Sequence, residues 1–105
     1  MTISKRERLK KTVSNLQHGD FYLDLFEDIV EAFNESDITE FIYKQPYTAL
    51  NCYADHPDKL TSHHITMLLE SHPFPEFVIA AFKHKLTDSQ IEWLVNKGYG
   101  EQVFG

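Results

Sequence analysis

Leu60-Thr61-Ser62-His63-His64-Ile65-Thr66-Met67-Leu68-Leu69 and Leu86-Thr87-Asp88-Ser89-Gln90-Ile91-Glu92-Trp93-Leu94-Val95 are two versions of one pattern, offset by 26 residues. Thr61 and Thr87 stand where a helix N-cap accepts an orphan backbone N–H. Leu60 with Ile65, and Leu86 with Ile91, take the N′ and N4 positions of a hydrophobic staple. Gln90 at N3 completes a capping box in the second copy, and His64 holds that place in the first. The spacing predicts two helices that the chain enters in the same way.

The segments upstream also correspond. Pro46 to His56, with Ala49, Leu50, Tyr53 and Ala54, matches Phe74 to His84, with Phe77, Val78, Ala81 and Phe82, at an offset of 28. The predicted unit is therefore a pair of short helices, a length typical of stacked helical repeats. The run His56-Pro57-Asp58-Lys59-Leu60-Thr61, followed by Ile65, Leu68-Leu69, Pro73 and Val78 to Phe82, resembles the leucine-rich variant repeat, a relative of HEAT-like helical repeats. The resemblance covers about residues 45–97. It implies a curved α/α solenoid fragment used as an interaction surface, with no catalytic residues to carry over. The sequence departs from the pattern in its acidic N-terminal helices and in lacking a proline in the second His-Lys-Leu-Thr.

Working outward, Ser4-Lys5-Arg6-Glu7 and Asp37-Ile38-Thr39-Glu40 both read as capping boxes, and His18-Gly19 as a helix end followed by a cap at Asp20. Tyr22, Leu25, Phe26, Ile29 and Phe33 mark an apolar face, with Val30 and Phe21 beside it. Pro46 and Pro75 fit first helical turns, and Pro57 a helix exit. No glycine lies between Asp20 and Lys97, which leaves no tight hairpin turn there. The fold expected is all-α: a short α/α superhelix of about seven helices with HEAT-like helical-pair repeats, near 3–17, 20–34, 37–44, 46–55, 61–71, 75–84 and 87–97. One domain spans 1–105, with charged N-terminal helices over 1–44, helical pairs over 45–97 and a C-terminal tail over 98–105. That tail is expected to cap one end through Val103 and Phe104.

Composition narrows the functional classes. The 105 residues are 42% hydrophobic and carry a net charge of −6, which disfavours wholesale binding to phosphate backbones or anionic membranes. The longest apolar run, Phe77 to Phe82, is too short to span a bilayer, and no secretory leader pattern is expected. The single cysteine, Cys52, suits a reducing, cytoplasmic setting. Five of the six histidines fall between His56 and His84, and Cys52 precedes His56 by four residues, a spacing that two metal ligands on one helix can use. Against a metal site, His56 and His84 fall at equivalent helix ends, where imidazoles bond terminal carbonyls, and His63 and His64 are adjacent and point apart. No phosphate loop, nucleophile elbow or HExxH is present, so no enzyme and no cofactor are expected. Phe21, Phe26, Phe33, Phe41, Phe77, Phe82 and Trp93 read as core; Tyr43, Tyr47, Phe74 and Tyr99, at helix ends or loops, read as exposed anchors.

Charge is unevenly placed. Residues 1–12 carry +4, whereas residues 19–43 carry eight acids and no Lys or Arg. An acidic outer face is what any amphipathic helix can show; it is also a docking surface for a basic partner. The function expected is a non-enzymatic protein–protein interaction module, of the kind met in small phage or bacterial inhibitors and adaptors, binding a basic protein surface. Asp24, Glu27, Asp28, Glu31 and Glu35 would make the acidic face, with Tyr43, Tyr47 and Phe74 as aromatic contacts. Alternatives are a nucleic-acid-mimicking inhibitor, a metal binder using Cys52 and His56, and direct nucleic-acid binding through residues 5–11. The basic N-terminal helix can instead lie against the acids of its own chain or of a second copy, and open repeat ends leave a homodimer in view.

Overall fold

Side-chain caps set the helix starts, and one arrangement recurs at three of them. Thr61 Oγ1 accepts the His64 N–H at 3.2 Å while His64 Nδ1 accepts the Thr61 N–H at 3.1 Å. Thr87 and Gln90 exchange the same two bonds at 3.1 and 2.8 Å. Asn34 and Asp37 form the third box, at 2.9 and 3.2 Å. In this computed structural model, which describes residues 4–15 and 23–105, the α-helices are α1 (Lys5–Ser14), α2 (Leu23–Ala32), α3 (Glu35–Lys44), α4 (Pro46–Tyr53), α5 (Ser62–Ser71), α6 (Pro75–Phe82), α7 (Asp88–Asn96) and α8 (Gly100–Phe104). Short 3-10 turns, Pro57–Lys59 and Lys83–Lys85, follow α4 and α6. The expected features at His18-Gly19, Asp20, Phe21 and Tyr22 lie outside the described residues.

The third box corrects the start expected at Asp37. Asn34 is in extended backbone at φ −90°, ψ 179°, which frees its side chain to cap, and Asp37 becomes the N3 partner inside the helix. Phe33 and Ile38 then fall at N′ and N4, both buried, as Leu60 and Ile65 do. At Ser4 the cap forms by its accepting the Glu7 N–H at 3.2 Å.

Each N3 side chain has a second task. His64 Nδ1 is an acceptor, so the ring proton sits on Nε2, which bonds the Glu35 carbonyl at 3.1 Å and Thr39 Oγ1 at 3.2 Å on α3. Gln90 Nε2 donates to the Ser62 carbonyl and to Thr66 Oγ1 on α5, both at 2.9 Å. Asp37 reaches α1, where Arg6 Nη2 donates to Oδ1 at 2.8 Å and Nε to Oδ2. Neighbouring odd-numbered helices are thus linked through the buried start of the later one. Helices α4 and α6 need less: they begin with Pro46 and Pro75, which have no N–H to satisfy. Helices α2 and α4 pack together, as do α6 and α8, and α3 and α5 lie against them to enclose the core. Ile29, Ile42, Tyr53, Ile65, Leu68, Val78 and Leu94 are among its fully buried members. The described residues extend over 51 × 22 × 19 Å. None of their helices is long and apolar enough to cross a membrane.

Two further differences from the sequence expectations have local causes. An eighth helix lies within the expected tail, because Gly98, at φ +96°, ends α7 in a Schellman turn: its N–H bonds the Val95 carbonyl at 3.0 Å and the Tyr99 N–H bonds that of Leu94 at 2.9 Å. This folds the chain back so that Val103 is buried, while Phe104 stays exposed. Phe77 and Trp93, expected in the core, are 57% and 37% exposed. In α6 the inward positions are already filled by Val78, Ile79 and Phe82, and in α7 by Leu94.

Because Gln90 does at α7 what His64 does at α5, His64→Gln should hold the melting temperature close to wild type. His64→Ala strands the Thr61 N–H and cuts the bonds to Glu35 and Thr39 on α3, and should cost about 1–3 kcal/mol. Calorimetry of the two variants checks this; equal losses would mean that ring packing, not hydrogen bonding, holds the joint.

Candidate functional site

The acids of residues 24–40 divide into an inner and an outer set. On the inner side, Asp37 is buried, with a side chain only 1% exposed, between Arg6 and Lys10, whose Nζ lies 3.4 Å away. Lys5 pairs with Asp28 at 3.3 Å, and Lys10 and Lys44 pair with Glu40 at 3.5 and 2.8 Å. The hydrogen bonds from the Arg6 guanidinium are the main cause that holds the Asp37 carboxyl below its ordinary range; burial opposes this, and the Asn34 N–H and Lys10 reinforce it. Lys44 does the same for Glu40, with help from Lys10. The basic helix α1 thus lies against the acids of its own chain. On the outer side Asp24, Glu27, Glu31 and Glu35 are exposed and form no ion pair among the described residues. They stay outside because Phe26, Ile29, Val30 and Phe33 turn the opposite face of α2 into the core.

The predicted aromatic contacts are partly gathered. Tyr47 lies against His72, with ring centroids 4.5 Å apart, and meets Phe74 edge-on at 6.2 Å. Phe74 touches Phe77 at 5.7 Å, and the two stand 45% and 57% exposed. Beneath them the buried His72 accepts the Phe74 N–H on Nδ1 at 3.0 Å, which pins the turn leading into α6. Tyr43, on the last turn of α3, is 77% exposed. Phe77 is the member that sequence reasoning missed; the surplus of apolar residues in an eight-residue helix was the available signal.

The suggested metal pair is not brought to one helix. Cys52 is buried, its thiol turned to the Phe26 carbonyl at 3.7 Å, and α4 ends at Tyr53, so His56 lies beyond the helix. Burial pushes the Cys52 thiol up to about 12, far from a reactive thiolate. Among the described residues no three His, Cys, Asp or Glu side chains are placed to share a metal ion. Two grooves border the odd-numbered helices. One of about 140 Å³ lies between α1 and α3, over Val13, Phe33 and Phe41. The other, about 280 Å³, opens between α5 and α7 beside Leu69 and Trp93.

No family model, curated protein or solved structure matches this chain.

Asp37 sets an acid limit. A carboxyl whose folded-state pKa lies below its ordinary 3.8 stabilises the fold fully above that value, and the stabilisation is lost as pH falls through the lower one. Wild type should therefore lose melting temperature more steeply than Asp37→Asn below pH 3.8, while being the more stable at neutral pH. Parallel acid titrations of the two, followed by circular dichroism, check this; equal slopes below pH 3.8 would contradict it.

Proposed function

We propose that the chain is a non-enzymatic protein-interaction module that docks a basic partner surface through the outer acids of α2 and the start of α3. One observation carries this reading: α1 pairs Lys5, Arg6 and Lys10 with Asp28, Asp37 and Glu40, yet Asp24, Glu27, Glu31 and Glu35 remain exposed and without an ion pair among the described residues. Like charges held together on one surface repel, and a basic partner relieves that cost while its approach is electrostatically steered. The exposed Phe74 and Phe77 add a separate apolar contact of the kind that anchors interfaces.

The scaffold we propose is a short α/α superhelix of HEAT-like helical pairs. The recurrence of one capping box at Asn34, Thr61 and Thr87, each with a bond to the preceding odd-numbered helix, supports it. Such stacks present surfaces, and their chemistry is that of the exposed residues. The size and acidity suit an inhibitor or adaptor of the small phage or bacterial type. A cytoplasmic setting suits the lone, buried Cys52.

The test is capture from a native host lysate by wild type and by the triple variant Asp24→Lys, Glu27→Lys, Glu31→Lys. The variant should keep its helical circular dichroism and retain at least about tenfold less of the captured partner, because complementary charge governs the encounter. Undiminished capture would overturn the acidic surface, and Phe74→Ala with Phe77→Ala would then show whether the aromatic patch binds instead.

A further inference from the structure

The joint between α1 and α3 differs in kind from the two that follow it. At α5 and α7 the N3 side chain bonds a backbone carbonyl and a threonine hydroxyl of the helix before it. At α3 the N3 group is Asp37, and its partners on α1 are the side-chain cations Arg6 and Lys10. A carboxylate as buried as this one requires a cation, whichever molecule supplies it. The rest of α1 holds on lightly. Leu9 and Val13 are its buried residues, and Lys5–Asp28 and Lys10–Glu40 are exposed pairs of the kind that contributes little. Gln45 Nε2 donates to the Val13 carbonyl at its far end. A groove of about 140 Å³ beside that end, lined by Val13, Phe33, Phe41 and Lys44 among others, is left open between α1 and α3.

We infer that α1 occupies a docking site for a basic amphipathic helix of a protein partner, and that such a helix displaces it. The inference rests on the preceding proposal that the partner is basic, and it names the partner's secondary structure and register. The pattern required is written in α1 itself as Arg6-x-x-Leu9-Lys10-x-x-Val13. Arg and Lys four apart meet Asp37 and Glu40, and the two apolar residues on the same face join the core that holds Phe33 and Phe41. While α1 is seated the site is closed, so the apparent affinity for a partner is lowered by the fraction of chains with α1 in place. A partner helix carrying a longer apolar face would fill the groove that α1 leaves open.

The probe is a fluorescein-labelled peptide of residues 4–15, titrated by anisotropy against the full chain. The variant Arg6→Glu/Lys10→Glu, whose own α1 is repelled by Asp37 and Glu40, should bind the peptide at least about tenfold more tightly than wild type does. Binding should weaken with added salt and be lost when Asp37→Asn is added to that background. A variant that keeps its helical circular dichroism but binds no peptide would overturn the inference, as would equal binding by wild type. If the variant does not fold, hydrogen exchange on wild type decides. Amides of residues 5–14 should open more readily than those of 35–44, and more so as salt rises; exchange of both only through global unfolding would overturn it. Exchange of α1 between copies, seen as a concentration-dependent wild-type dimer in sedimentation, would overturn the partner in favour of a second copy. Adding Asp24→Lys, Glu27→Lys and Glu31→Lys to the peptide-binding variant separates the two proposals, since lysate capture reads the outer acids and peptide binding reads Asp37.

Discussion

A buried helix start has orphan N–H groups that no water can reach, and the groups that satisfy them must be buried too. In this protein that constraint is met at α3, α5 and α7 by side chains with two polar ends. One end of His64 or Gln90 accepts from its own N-cap residue, and the other donates to the helix before it. The same few atoms therefore decide where a helix begins and how far it stands from its neighbour. The apolar core then fills the space this spacing sets, with Ile65 and Leu68 of α5 wholly enclosed. Since unsatisfied buried polar groups cost about as much as a typical point mutation removes, each joint is either whole or broken.

Asp37 obeys the same constraint with a different outcome. A carboxylate can accept at both ends but cannot donate, so the element before it has to bring donors of its own. Helix α1 does so with Arg6 and Lys10, so two of its five basic residues answer to one residue on α3. The acidic excess of the sequence is thereby split: Asp28, Asp37 and Glu40 face α1, and Asp24, Glu27, Glu31 and Glu35 face solvent. Net charge alone describes neither set.

How much of this was legible in the sequence depended on range. Thr61 and Thr87 could be read because caps and staples are contained within six residues. Asn34 was passed over because Asp37-Ile38-Thr39-Glu40 imitates a cap, and its correspondence with His64-Ile65-Thr66 is visible only once Asp, His and Gln are recognised as alternatives at N3. The bonds from His64 to α3 were beyond reach, since one acceptor is a backbone carbonyl 29 residues away. The opposite charges of residues 5–11 and 20–40 were plain, but not which acids α1 would take. Phe77 and Trp93 misled because helical spacing marks more apolar residues than an eight- or nine-residue helix can bury. Gly98 and Gly100 concealed α8, since a glycine pair near a terminus looks like a tail until the turn at Gly98 is seen.

The bonds from His64 and Gln90 to backbone carbonyls carry an evolutionary corollary. Glu35 and Ser62 contribute their carbonyls to these joints, and every amino acid has one. Their side chains are therefore free to drift without loosening the stack, so a lineage can recolour this surface residue by residue. The joint at Asp37 grants no such freedom: a change there obliges a matching change at Arg6. Along a single row of helices, two joints ask only a threonine, Thr39 or Thr66, of the helix before, while the third ties Asp37 to a cation.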